Sequence, residues 1–184
     1  MVSANLVPNS KLADIWDYLS LTEYEKQVIE GLQIIEPRIM ALSFVAQDSE
    51  RSGLRAPYVS LKGSTEPIAL KSMGDGTFKI LNLLIMLLSS KESILCIDEF
   101  ENGLHWSVQP KVWQAVFRLA KKLDVQVFAT THSRDCIAGF NEVWQDQEDE
   151  GCFLRLDREG EDIYPTYYPP SSLNDALEMD IEVR

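Results

Sequence analysis

Soft-metal ligands are scarce in this chain. Its 184 residues hold two histidines, His105 and His132, and three cysteines, Cys96, Cys136 and Cys152, with no CxxC pair. That leaves no ligand set for a tetrahedral zinc site. An odd number of scattered cysteines reads as reduced, mostly buried thiols of a cytosolic protein. Long apolar runs are also missing. The longest, 80–88, is interrupted by Asn82 and falls far short of the roughly 20 residues that cross a bilayer. It is expected to be a buried helix. The opening MVSANLVPNSKLADIW has no basic segment followed by an apolar one, so no signal peptide is expected, and the expected location is cytoplasmic. Positive charge is short as well, with 17 basic against 29 acidic side chains, a net charge of −12 and a pI near 4.6. A broad basic surface for nucleic acid or an anionic membrane is thereby excluded.

What is present is ordinary globular composition, 45% apolar and 25% charged, enough for one domain or one large lobe. The acidity is uneven. Residues 142–184 hold 13 acidic and 3 basic groups, whereas residues 1–141 hold 16 and 14. The motif-bearing body is therefore close to neutral, and the acidic stretch reads as solvated surface or as a site for a basic partner.

Helical spacing of Leu12, Ile15, Trp16 and Leu19 predicts a first helix, and Thr22-Glu23-Tyr24-Glu25 is a capping-box pattern for a second, which Pro37 stops. A strand is predicted over 39–45, a loop over 47–57, and a hairpin from 57–62 and 66–70 around Gly63-Ser64-Thr65. Gly76 leads into an apolar helix over 77–89. The continuous run Ser93-Ile94-Leu95-Cys96-Ile97 reads as a strand buried on both faces. Val108, Val112, Val116, Leu119 and Leu123 predict a four-turn helix. A second buried strand is expected over 125–130, and Ser133 caps a helix over 134–140. Strands joined by helical crossovers pair in parallel, and such sheets bind ligands at the ends where the polar residues gather. Trp16, Trp106, Trp113 and Trp144 are not spaced as a stacking platform and are expected to pack in the core or an interface.

Three segments bear chemistry. Four apolar residues ending in Asp98-Glu99 suit nucleotide hydrolysis: the first acid holds Mg²⁺ through water, and the second orients and deprotonates the attacking water. Alone, the pair is also what a solvated strand-end turn looks like. His132, at the end of the next strand, suits a γ-phosphate sensor, although it is also what a capping histidine looks like. Lys71-Ser72-Met73-Gly74-Asp75-Gly76 is a glycine-rich turn whose free N–H groups and positive helix end suit a phosphate.

In this order the segments resemble the ABC-type ATP-binding proteins of the AAA-family group, relatives of the RecF, chromosome-maintenance and overcoming-lysogenization-defect ATPases. Ser72-Met73-Gly74-Asp75 looks like the signature loop, departing from the usual S-G-G-Q at Met73 and Asp75. Ile94 to Glu99 looks like Walker B with its catalytic glutamate. Glu101-Asn102-Gly103-Leu104-His105 stands at the D-loop position, where His105 is expected to pack or meet a subunit. Thr131-His132-Ser133 looks like the switch-histidine loop. The resemblance is close over 70–140 and looser to residue 184.

The resemblance implies a P-loop NTPase-like (ABC/SMC type) C-terminal lobe, α/β, with parallel core strands and flanking helices and lacking the P-loop strand. Its parts would be a helical and hairpin lead-in over 1–69, the motif region over 70–140, and an acidic strand, hairpin and helix over 141–184. It assigns Glu99 and His132 to catalysis, Asp98 to Mg²⁺, and Ser72, Met73, Gly74, Asp75, Gly76, Asn102 and Gly103 to nucleotide contacts. ATP and Mg²⁺ are the implied cofactors, and an ATP-dependent head-to-head dimer the implied assembly, with nucleic acid met only through partners and no membrane.

The sequence contains no G-x-x-x-x-G-K-[ST]. Lys62-Gly63-Ser64-Thr65 is the nearest string, and Gln47 the nearest residue to a Q-loop. Weak ATP binding and no hydrolysis are therefore expected of the isolated chain, which would need a Walker-A-containing lobe or subunit. The strand over 125–130 would then have one unpaired side, open to another polypeptide, a second copy, or the strand over 152–156. The other readings of the same residues are a truncated, non-hydrolysing regulatory or protein-interaction module, and a gene fragment without separate function.

Overall fold

The computed structural model describes residues 2–3, 8–47 and 54–183. Expectations that touch the remaining positions, Gly53 and Arg184 among them, lie outside the described residues. The chain opens with β1 (Val2–Ser3), followed by α1 (Asn9–Leu19) and α2 (Glu23–Leu32). Thr22 caps α2 by accepting the Tyr24 N–H, while Glu25 reaches back to the Leu21 N–H at 2.9 Å. β2 (Ile39–Ala46), β3 (Arg55–Leu61) and β4 (Ile68–Ala69) form an antiparallel sheet in that order. The expected loop over 47–57 is thus shorter than its polarity suggested. β3 takes in Pro57 opposite Phe44, and β4 pairs only with Tyr58 and Val59.

α3 (Asp75–Ser89) is the central helix. Thr77 and all residues from Ile80 to Leu88 are buried, which explains why its sequence is apolar all round. It packs against α1 and α2, and against α4 (Gln109–Leu123). Between α3 and α4 lies β5 (Ile94–Ile97), and after α4 comes β6 (Gln126–Ala129). These strands form a parallel sheet in the order β1-β5-β6, with Val2 opposite Leu95 and Ile97 opposite Ala129. α5 (Arg134–Trp144) follows, one turn longer than the sequence predicted. The chain then forms an isolated hairpin of β7 (Phe153–Glu159) and β8 (Asp162–Tyr168), and ends in α6 (Pro170–Glu178). No described helix is long and apolar enough to cross a membrane.

Four expectations are corrected here. β5 is buried on one face only: Leu95 and Ile97 are covered, whereas Ile94 is 39% exposed and Cys96 half-buried. β6 is not a buried strand. Its register with β5 puts Gln126 and Phe128 on the same open face, and Phe128 is 54% exposed. Among the described residues no strand pairs with the other edge of β6. The apolar sequence fits two covered faces, but the described helices cover one. The strand over 152–156 does not close that edge, because β7 pairs in full register with β8. The cysteines also divide differently from the expectation: Cys136 is buried, Cys96 half-buried and Cys152 exposed.

Candidate functional site

Asp98 and Glu99 leave β5 where it ends, and both side chains are exposed. The neighbouring strand end fixes their backbone. The Thr130 N–H donates to the Ile97 carbonyl at 2.9 Å, and the Phe100 N–H donates to the Thr130 carbonyl at 2.9 Å. The Thr130 hydroxyl donates to Asp98 Oδ1 and accepts the Glu99 N–H at 3.0 Å. Held from both sides, Glu99 adopts φ +49°, a left-handed conformation that costs a side-chain-bearing residue energy and that concentrates at functional sites.

The residue after Glu99 anchors the turn. Phe100 is 1% exposed and stacks on Trp113 at 3.8 Å with the rings 8° from parallel. Trp113 Nε1 donates to the Cys136 carbonyl at 3.1 Å, so the same aromatic pair ties β5's end to α4 and α5. Burying Phe100 in this way turns the Glu99 carboxylate outward. Asn102 closes the turn, its N–H donating to the Glu99 carbonyl at 3.0 Å and its Nδ2 to Glu99 Oε2 at 3.4 Å. Trp16 and Trp144 are buried with Trp113, as the sequence reading had them, whereas Trp106 beside His105 is 62% exposed.

His132 stands at the mouth of the loop between β6 and α5, with its side chain exposed. Its N–H donates to Glu101 Oε1 at 2.9 Å. Ser133 caps α5 by accepting the Cys136 N–H at 3.3 Å. Thr130 thus ties Asp98 and Glu99, Asn102 closes on Glu99, and Glu101 in the same turn holds the backbone of His132.

The loop from Ser72 to Gly76 lies apart from that network. Leu70–Met73 forms a single 3-10 turn, and Gly74 at φ +98° starts α3 without any side-chain cap. Ser72 Oγ donates to the Ala69 carbonyl at 2.7 Å. The first N–H groups of α3 therefore have no side-chain cap at the positive end of its dipole, although Asp75 adds a negative charge in that first turn. Gly76 is required by a close approach: a Cβ there would meet the Gly103 carbonyl oxygen at 2.8 Å. Among the described residues, no hydrogen bond joins Ser72, Met73, Gly74 or Asp75 to Asp98, Glu99 or His132. The loop and the turn after β5 meet at this backbone contact.

Sequence reasoning missed three residues that shape the site. Thr130 was read only as part of a strand end, and Glu101 only as a D-loop position. Lys79 was not singled out, yet it lies one helical turn beyond Gly76 and so on the face that meets the turn after β5. Burial pushes the Lys79 pKa down, opposed by the negative charges of Glu101, Glu99 and Asp98.

A divalent cation fits this site only with help. Asp98 keeps one carboxylate oxygen free of hydrogen bonds, and among the described residues no three His, Cys, Asp or Glu side chains are grouped to hold a metal. Such a donor suits Mg²⁺, which binds one or two carboxylates and keeps waters and phosphate oxygens for the rest of its sphere.

Residues 12–135 match the family described as "AAA domain, putative AbiEii toxin, Type IV TA system". An "ATP/GTP phosphatase" of Helicobacter pylori is 26% identical over 132 residues, 70% of this chain and 34% of the relative. The chain therefore spans about a third of that relative's length. Among solved structures, an SMC ATPase from a study of ATP-driven dimerization and DNA-stimulated activation superposes with a TM-score of 0.61 at 9% identity. That match covers 85% of this chain and 90% of the other. The Smc head bound to the C-winged helix domain of ScpA gives 0.58 at 11% identity, covering 95% and 54%. The SMC head of Thermotoga maritima gives 0.52 at 9%, covering 85% and 52%. At these identities the likeness establishes an SMC-head-like α/β fold.

Proposed function

The chain belongs to the AAA domain family whose description names the AbiEii toxin and type IV toxin–antitoxin systems, and on that premise we propose that it is the part of an ABC-type ATPase that supplies the hydrolytic carboxylates. The observation that carries this reading is the strand-end arrangement: two exposed carboxylates in consecutive positions, the first with a free oxygen, the second on a strained backbone, and an exposed histidine whose backbone N–H is tied to the same turn.

In this reading Glu99 orients the attacking water and takes its proton as general base. Asp98 would help to hold Mg²⁺, through water, with its free oxygen, and the ion would supply positive charge to offset that of the phosphates. His132 contacts the γ-phosphate, while Asn102 keeps the Glu99 carboxylate in place. The loop Ser72, Met73, Gly74, Asp75 and Gly76 serves the nucleotide of a facing subunit, as its uncapped helix start supports. Gly103 takes the left-handed backbone, φ +76°, where its carbonyl meets Gly76 at the start of α3.

The phosphate-cradling G-x-x-x-x-G-K-[ST] segment would come from another lobe or subunit. The open edge of β6, and the open face bearing Ile94 and Phe128, support a partner there. The expected consequence is that these 184 residues alone bind Mg·ATP more weakly than about 1 mM. Adding a Walker-A-bearing lobe should bring affinity into the micromolar range. Calorimetric titration of Mg·ATP into the chain, with and without that lobe, tests it. Micromolar binding by the chain alone, unaffected by Asp98→Asn, would refute the assignment. The coding DNA upstream of Met1 is the place to look first for such a lobe.

A further inference from the structure

The turn after β5 and the loop after β6 are joined by one side chain that the reading above does not use. Glu101 Oε1 accepts the His132 N–H at 2.9 Å. Glu101 Oε2 is buried without a partner. Burial opposes ionisation, but the hydrogen bonds from Thr131, from the Glu101 N–H and from the His132 N–H outweigh it, so the carboxyl sits below its ordinary range. Lys79, half-buried on α3, adds a positive charge that the Glu101 carboxylate feels.

The tie matters because the loop has little else. The ladder with β5 ends at the Thr130 N–H, and α5 begins with the Ile137 N–H on the Ser133 carbonyl at 3.1 Å. Between them, the Ser133 N–H bonds locally to Thr131 Oγ1, and the acceptor of the His132 N–H is Glu101. A hydrogen bond to an ionised acceptor is roughly twice as strong as a neutral one. Glu101 is itself held by its place in the turn, where the Leu104 N–H donates to its carbonyl at 2.8 Å. The segment bearing Glu99 thereby fixes the backbone of the segment bearing His132.

We propose that Glu101 is a positioning residue for ATP hydrolysis: it sets the backbone of His132, and so the place of the imidazole relative to Glu99, without touching the nucleotide. The proposal rests on the roles given to Glu99 and His132 above.

The test uses the full chain, isotopically labelled for amide exchange by NMR, with Glu101→Ala and Glu101→Gln. The alanine variant should speed His132 amide exchange by about 10-fold or more, while Thr130 and Ile137 stay within about 3-fold of the wild type. Glutamine keeps an acceptor of the same shape and should restore His132 to within about 3-fold. In a mixture with a Walker-A-bearing lobe, Glu101→Ala should lower kcat about 10-fold with KM for ATP changed less than about 2-fold, and Glu101→Gln should recover most of it. Unchanged His132 exchange in Glu101→Ala overturns the proposal, as does equal acceleration at Thr130 and Ile137. Absence of turnover in the wild-type mixture defeats the ATPase reading instead, so the two failures are separable.

Discussion

Replacing Glu99 by glycine should leave the protein more stable than replacing it by alanine, although both changes remove the carboxylate. The reason is the backbone: Glu99 stands at φ +49°, held there by Thr130 on one side and by Asn102 on the other. A residue with a Cβ costs about 1–2 kcal/mol in the left-handed region. Glycine avoids that cost but gives back about 0.5–1 kcal/mol through the greater freedom of its unfolded chain. The difference left is about 0.5–1 kcal/mol in favour of glycine, or about 1–4 °C in Tm for a domain of this length. Both variants lose the same contact to Asn102, so it cancels in the comparison. Asp124, in the left-handed C-cap of α4 at φ +53°, gives an internal standard far from chemistry, where glycine should also exceed alanine. Calorimetric melting of the four variants measures all of this. If Glu99→Ala melts at or above Glu99→Gly while the Asp124 pair behaves as expected, the strain at Glu99 is not there and the argument from it collapses.

Thr130→Val removes the hydroxyl that bridges Asp98 Oδ1 and the Glu99 N–H and should cost about 1–2 kcal/mol in urea unfolding, whereas Thr130→Ser should cost less than half as much. The depressed carboxyl of Glu101 contributes stability that is fully present above its ordinary value of 4.5 and is lost as pH falls through the lower folded value. Urea midpoints followed from pH 6 to pH 3 should therefore fall less steeply in Glu101→Gln than in the wild type. Glu36, held down to about 2 by Arg38, acts in the same direction in both proteins and drops out of the comparison. Asp75→Asn removes a negative charge from the first turn of α3. It should strengthen ATP-dependent association several-fold in sedimentation, while costing the helix about 0.3–1 kcal/mol in stability.

How much of this could be read from residues alone follows physical lines. The apolar run that makes β5, the all-round apolar α3 and the Ser133 cap depend on local composition and spacing, and each was legible. So was the order of Ser72 to Gly76, Asp98-Glu99 and His132, because chain order survives folding. The exposure of Phe128 was not legible, since an apolar strand says what it needs covered and not whether the chain covers it. β1 was missed because two residues carry no periodicity. The left-handed Glu99 follows from bonds made by Thr130, 31 residues away, and nothing at position 99 announces it. Glu101 and Lys79 illustrate the remaining difficulty. Charged residues in a turn and on a helix read as solvated until tertiary packing sets them against His132 and against one another.

The most direct test of the central claim is ATP turnover measured on a mixture of this chain with a Walker-A-bearing lobe, comparing the wild type with Glu99→Gln. Turnover that appears only on mixing and falls by about 10²-fold or more in Glu99→Gln is the predicted result. Turnover that survives the substitution undiminished would show that the water is activated elsewhere.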